Sequence, residues 1–207
     1  MKKILYVVMH SIVNKHRYDN VMNTWGKNKD VLFYADYDDA DKNVIKVSND
    51  TSYKSNEEKH INIIKLLNEN NTYNYEWFFL CDDDTFVNTL KLENSLDMFD
   101  PNFVNGSILN TWQNDPSLSY CSGGAGNLIH FKLLNIISLN IKNHNTGFAD
   151  VSLGLSLRES NIGILNSTLF NSQPPEFYNI EISDINNYIS FHYIKTEDKM
   201  KIMIENI

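Results

Sequence analysis

Cysteine is nearly missing from this 207-residue chain, with two present, Cys81 inside an apolar run and Cys121 beside a glycine cluster. That is no disulfide framework, and both read as buried thiols. No apolar run approaches the roughly 18 residues of a membrane-spanning helix. The opening Met1-Lys-Lys-Ile-Leu-Tyr-Val-Val-Met9 begins like a secretory leader. It turns polar at His10 and offers no small-residue cleavage site, so it reads as a first strand. An excess of positive charge is also missing. Lys and Arg total 18 against 26 Asp and Glu, giving a net charge of −8, which argues against a general nucleic-acid or acidic-membrane surface. Internal repeats, long linkers and a second composition regime are absent. With 42% hydrophobic residues the chain can bury one substantial core, so a single domain over 1–207 is expected. Asparagine is abundant, which devalues the Asn-x-Ser/Thr matches at Asn49, Asn70, Asn105 and Asn166.

What is present centres on Tyr75-Glu-Trp-Phe-Phe-Leu-Cys-Asp-Asp-Asp-Thr-Phe-Val87. The apolar run Trp77 to Cys81 suits one buried strand and is too short for most helices. It ends in Asp82, Asp83 and Asp84. Buried strands that deliver acidic groups at their carboxyl ends build the ligand crevices of α/β sheets. Adjacent carboxylates repel one another unless a cation neutralises them, and a hard divalent metal carrying substrate phosphates fits such a cluster. An acidic turn after a core strand explains the same residues. The stretch alone leaves both readings open.

The rest of the chain alternates. Ile4 to Met9, Val31 to Ala35 and Val44 to Val47 read as strands, with an acidic loop Asp36 to Asp41 after the second. Tyr18, Val21, Met22 and Trp25 share one helical face, with Gly26 placed as a C-cap. Ser55 and Glu58 form a capping-box pattern before a helix through Ile61, Ile64 and Leu67, ending in the Asn-rich run Asn68 to Asn74. Helices are expected over Asn88 to Phe99, Leu128 to Ile141 and Asp150 to Arg158. Phe103 to Leu109 reads as a strand broken at Asn105-Gly106, and Leu169 to Phe191 as short strands around Pro174-Pro175. The β-α-β-β-α-β order predicts an α/β fold, a mostly parallel sheet flanked by helices.

Three further features could carry chemistry. The cluster Ser122-Gly-Gly-Ala-Gly126 permits close backbone approach and, opening a helix, could offer amide N–H groups to a ligand. It is neither a Walker A loop nor GxGxxG, and a tight turn explains it equally. Asp150 reads as a first-turn carboxylate or as a general base toward a hydroxyl. His192, among alternating apolar residues, reads as a satisfied strand histidine or as a metal ligand. His10, His16, His60, His130 and His144 show no metal-ligand spacing.

Together these segments resemble the fringe and core-1 galactosyltransferase group of β-1,3-glycosyltransferases, in the family's order and over nearly the whole chain. The resemblance rests on Lys15-His16-Arg17 through Asn23-Thr24-Trp25, Val31 to Asp36, Lys65, Trp77 to Val87, Tyr120 to Gly126, Asp150-Val151 with Gly154, Ser183-Asp184, and Ser190 to Tyr193. It implies a GT-A fold, with a nucleotide-sugar half near 1–88 and an acceptor half near 89–207. It also implies a UDP-sugar donor, Mn²⁺ or a similar divalent cation, a glycan or glycoprotein acceptor, and inversion at the anomeric carbon. By the match, Asp150 would be the base, and Asp82, Asp84 and His192 would hold the metal. Asp36, Lys65, Asp82, Asp83, Gly123, Gly124 and Ala125 would contact the donor.

The chain departs from the family in three places. Asn171 and Gln173 stand where the fringe branch has histidines, and Ala149 where an acid is usual, which keeps a non-catalytic sugar-nucleotide or glycan-binding relative in play. The membrane anchor, stem and disulfides of Golgi members are not seen, so a soluble, cytoplasmic protein of microbial or viral setting is expected. A two-metal phosphoryl or nucleotidyl transferase would need a second acidic strand, for which Asp36 to Asp41 is the candidate.

Overall fold

A computed structural model describes residues 4–69 and 75–207. Met1 to Lys3, residues 70–74 of the Asn-rich run and the Asn70 acceptor match lie outside the described residues. The sheet contains β1 (Ile4–Met9), β2 (Val31–Ala35), β3 (Val44–Lys46) and β4 (Trp77–Asp82) as parallel neighbours. The short strand β5 (Phe86–Val87) follows outside it, and β6 (Val104–Gly106) returns to it on the far side of β4. Next come β7 (Ile108–Leu109), β8 (Tyr120–Cys121), β9 (Asn127–His130), β10 (Ile164–Asn166), β11 (Phe170–Asn171) and β12 (Ser190–Phe191). The seven-stranded sheet runs β10-β6-β9-β4-β1-β2-β3. Its β9 is antiparallel to both β4 and β6, and the remaining neighbours are parallel.

Among the described residues six α-helices surround these strands: α1 (His16–Met22), α2 (Asn56–Glu69), α3 (Thr89–Asn94), α4 (Phe131–Asn140), α5 (Ala149–Glu159) and α6 (Glu197–Ile204). Because strand side chains alternate, the sheet buries two cores. Tyr6, Val8, Phe33, Phe79 and Cys81 pack toward Val21, Trp25, Met200 and Met203. Leu5, Val7, Phe78 and Leu80 pack toward α2, α4 and α5 through Ile61, Ile64, Leu133, Leu134, Leu153 and Leu157. Burial on both faces explains why β1, β2 and β4 are unbroken apolar runs.

Several local expectations need correction. Leu128 to Ile141 is not one helix, because Asn127–His130 is the antiparallel strand β9 and the helix begins at Phe131. The glycine cluster therefore leads into a strand. No capping box forms at Ser55, whose hydroxyl donates to the Ser52 carbonyl while Glu58 accepts from the Ser48 hydroxyl. The expected helix from Asn88 to Phe99 is shorter. Asn88 caps α3 by accepting from the Lys91 amide at 2.9 Å, and a separate 3-10 turn covers Leu96–Met98. α1 ends before Trp25, at Asn23, so Gly26 lies in the following turn with its amide donating to the Val21 carbonyl. The break in Phe103 to Leu109 falls at Ser107, between β6 and β7.

Two small sheets finish the architecture. β7 pairs with β8, and α5 packs so closely on β8 that a Cβ on Gly154 would stand 2.5 Å from the Tyr120 Cβ. β12 lies between β11 and β5, with Phe191 opposite Phe86 and Ser190 opposite Val87. Since β5 follows the aspartates by one residue, this pairing carries His192 to the acidic turn.

Candidate active site

A cavity of about 650 Å³ opens at the carboxyl edge of the central strands. Its walls come from the end of β4 (Asp82), the start of α2 (Tyr53, Asn56, His60), the glycine turn (Gly123, Gly124), the start of α5 (Phe148, Asp150) and the segment after β12 (His192, Tyr193). β1 and β4 lie where the strand order reverses from β1-β2-β3 to the opposite edge, the position at which doubly wound sheets bind ligands.

Asp82, Asp84 and His192 meet here. One ligand atom from each lies within 4.8 Å of the others. His192 Nε2 stands 3.1 Å from Asp84 Oδ1 and 3.6 Å from Asp82 Oδ2. Backbone hydrogen bonds fix this meeting, the Ile194 amide donating to the Asp84 carbonyl at 2.8 Å and the His192 amide to the Asn171 carbonyl at 3.1 Å. A Cβ on Gly124 would fall 2.1 Å from the His192 ring, so only glycine leaves room for the imidazole. Thr85 donates to the Gly124 carbonyl at 2.8 Å, and Ser190 donates to the Ala125 carbonyl, which ties the glycine turn to the acidic turn.

The electrostatics separate the three aspartates. Asp83 accepts from His10 Nδ1 at 2.7 Å and from Arg17 at 2.8 Å. Burial works to raise the Asp84 carboxyl, but His192 and Arg17 outweigh it and hold the group below the ordinary range. Asp82 has no such relief. Its burial pushes the carboxyl up to about 7, and the charges of Asp84, Asp83 and Asp150 reinforce this against His192. The same carboxylates outweigh burial at His192 and raise its imidazole. Two carboxylates and an imidazole, with one negative charge unmet, fit a divalent cation. Metal–ligand bonds of roughly 2.0–2.3 Å place such heads up to about 4.6 Å apart, close to the 4.8 Å within which these three lie.

Asp150 lies across the glycine turn. Its Oδ2 accepts from the Gly123 amide at 3.3 Å and its Oδ1 from its neighbour Val151 at 2.9 Å. Burial raises its carboxyl against these two bonds. Gly123 and Gly124 thus touch Asp150 and His192 respectively, and the two groups flank one dipeptide.

Other expected contacts fall elsewhere. Among the described residues the cavity wall does not include Asp36, Lys65, Asp83 or Ala125. Asp36 is buried against Lys59 Nζ at 2.7 Å, the Ser11 hydroxyl at 2.6 Å and the Ile12 amide at 2.9 Å. Lys65 is exposed on α2, and the lysine that α2 turns inward is Lys59, 1% exposed. A buried lysine within Asn-Glu-Glu-Lys-His leaves no periodic signal, so sequence reasoning missed it. Asn171 donates its side-chain amide to the Ser190 carbonyl at 3.1 Å and so braces the strand that presents His192, while Gln173 lines the cavity. The Asp36 to Asp41 loop makes no second metal centre, since no other group of three or more ligating heads occurs among the described residues.

A seven-stranded, mostly parallel sheet with an acidic turn at the end of its central strand and a glycine turn beside it is the GT-A arrangement. Solved glycosyltransferases share it. One involved in glycosylation of the major capsid of PBCV-1 matches with a TM-score of 0.57 at 13% identity, covering 97% of this chain and 98% of that one. The galactosyltransferase LgtC, in complex with donor and acceptor sugar analogues, matches with a TM-score of 0.55 at 10% identity, covering 98% and 96%. No curated protein matches by sequence. A family profile described as Fringe-like matches residues 10–206. The chain belongs to the Fringe-like family and is a glycosyltransferase. No helix among the described residues is long and apolar enough to cross a membrane.

Proposed function

We propose that the protein transfers a sugar from a UDP-sugar to an acceptor hydroxyl with inversion, using a divalent cation such as Mn²⁺ and forming a β-1,3 linkage on a glycan or glycoprotein. The observation that carries this reading is the convergence of Asp82, Asp84 and His192 beside a cavity that Asp82, His192 and Asp150 line. UDP and the β-1,3 linkage follow from the resemblance to the fringe and core-1 group.

Asp82, Asp84 and His192 would hold the cation, which supplies positive charge to offset that growing on the diphosphate leaving group. Asp150 is the base. Its raised carboxyl binds a proton more strongly than a solvated aspartate and suits removal of the acceptor hydroxyl's proton as the new bond forms. Gly123 and Gly124 let substrate approach the backbone between these two groups. Phe148, Trp112 and Tyr120 border the same space.

A thermal-shift and turnover screen of UDP-sugars, with and without Mn²⁺, tests the reading. Binding to the native state raises the melting temperature, so a UDP-sugar is expected to raise it only with the cation, and to be hydrolysed or transferred. Cation-dependent binding without any turnover would identify a non-catalytic relative instead. Equal shifts with and without the cation would remove the metal role.

A further inference from the structure

Glu57 is 2% exposed and has no cation among its hydrogen-bond partners. Its partners are two amides and a hydroxyl of one loop, with the Ser152 hydroxyl of α5 beside them. The His144 amide donates to Oε1 at 2.6 Å, the Gly147 amide to Oε2 at 3.0 Å, and the Thr146 hydroxyl stands 3.3 Å from Oε2. Gly147 holds a φ of +78°, a left-handed conformation that aims its amide where few side-chain-bearing residues could. Two or three donors aimed at one head require a group that only accepts, which is a carboxylate and not an amide. Burial works to raise this carboxyl, yet the Ser152 hydroxyl, the two loop amides and Thr146 outweigh it and hold it below the ordinary range. Its place in the first turn of α2, near the positive end of the helix dipole, works in the same direction.

The loop so held leads straight into the cavity. Phe148 follows Gly147 directly and Asp150 two residues later, and both line the cavity, as do Tyr53, Asn56 and His60 on the turn before α2 and on α2 itself. Tyr53 and Phe148 meet edge to face, with ring centroids 6.3 Å apart. From the loop side, Ser156 on α5 adds contacts, taking the Lys142 amide at 3.3 Å and lying 3.1 Å from His144 Nε2. The loop and the start of α2 are therefore joined through the buried Glu57 carboxylate, beside the Tyr53–Phe148 contact.

We infer that Glu57 is a positioning residue, which sets the start of α5, and with it Asp150 and Phe148, at a fixed distance from the start of α2. The inference rests on the catalytic reading of Asp150 for its effect on turnover, and on the loop geometry alone for its effect on order.

Glu57→Gln tests it, because the isosteric amide keeps one acceptor and turns an N–H toward loop donors. Exchange of the His144 and Gly147 amides with deuterium is expected to speed at least tenfold. The melting shift produced by UDP with Mn²⁺ should stay at the wild-type value, and kcat for the donor found in the screen should fall tenfold or more at unchanged donor KM. Thr146→Val, on the partly exposed loop, covers the case in which Glu57→Gln does not fold. It should give a smaller change of the same kind, with Thr146→Ser restoring both readouts. Wild-type exchange at His144 and Gly147 in Glu57→Gln would overturn the inference. So would parallel loss of UDP binding and turnover, which marks a general packing defect. Asp150→Asn separates the two readings. It should lose turnover without speeding loop exchange, and retained turnover there would overturn the base role while the exchange result still decides the role of Glu57 in ordering the loop.

Discussion

Asp83 and Asp82 are neighbours in the chain, yet their carboxylates are met in opposite ways. The turn after β4 takes Asp83 away from the cavity, where Arg17 pairs with it at 2.8 Å and His10 Nδ1 lies 2.7 Å from it. Asp82 faces the cavity, has the nearest imidazole at 3.6 Å, and is pushed up to about 7 chiefly by burial. Asp36 repeats the first pattern with Lys59 and Ser11. A buried carboxylate whose partners lie within the chain maintains the fold. One left unmet beside a cavity, with a second carboxylate and an imidazole within 4.8 Å, is ready for a ligand carrying positive charge.

Disturbing the unmet side should give the largest effects. Asp84→Ala removes one of the three proposed cation ligands and leaves His192 without its 3.1 Å partner. Turnover should fall by about 10³-fold or more, matching loss of several kcal/mol of charge stabilisation, and the Mn²⁺-dependent melting shift with UDP should vanish. A variant that kept both would show that the cluster holds no catalytic cation. Asp150→Asn should come next, lowering kcat roughly 10²- to 10³-fold through loss of the base while leaving the UDP and Mn²⁺ melting shift in place. Comparable loss of that shift would mean that Asp150 belongs to the donor site and not to the acceptor step.

Much of this was legible in the sequence, for identifiable reasons. β1, β2 and β4 are buried on both faces, so they stand out as apolar runs ended by polar loops. Asp82, Asp84, Gly123, Gly124, Asp150 and His192 were named from the motifs and lie together on the cavity wall or beside it. β9 was not legible. Asn127–His130 passes straight into α4 with no break, and a short apolar run beside a helix has no period of its own. Partner assignments were also hidden. Which carboxylate finds Lys59, His10 or Arg17 depends on contacts across 23, 73 and 66 residues of chain. The His144-to-Gly147 loop gave no sign that a glutamate of α2 receives it.

The difference between Asp82 and Asp83 sharpens into stability changes of opposite sign. Asp83→Asn leaves Arg17 and His10 facing a neutral amide in a buried site, and should cost about 2 kcal/mol of unfolding free energy. Asp82→Asn removes a charge that its surroundings disfavour, and should stabilise the metal-free protein by about 1–2 kcal/mol at neutral pH while abolishing the response to Mn²⁺. Denaturant unfolding of both variants in chelator decides the matter, and two changes of the same sign would break the distinction between the carboxylates.

The smallest effect at neutral pH belongs to His60, on the uncharged part of the same cavity wall. Its Nδ1 lies 3.3 Å from the Tyr34 hydroxyl, its Nε2 has no hydrogen-bond partner among the described residues, and burial pushes its imidazole down to about 4. Below about pH 6.5 the unfolded chain takes up a proton at this residue that the folded chain refuses. The stability from neutral His60 is therefore complete above pH 6.5 and is lost as the pH falls toward 4, by about 3 kcal/mol in all. His60→Gln should be little changed at pH 7.5 but flatter between pH 6.5 and 4. Parallel stability curves for wild type and variant over that window would show that His60 titrates normally and that burial does not hold its imidazole down.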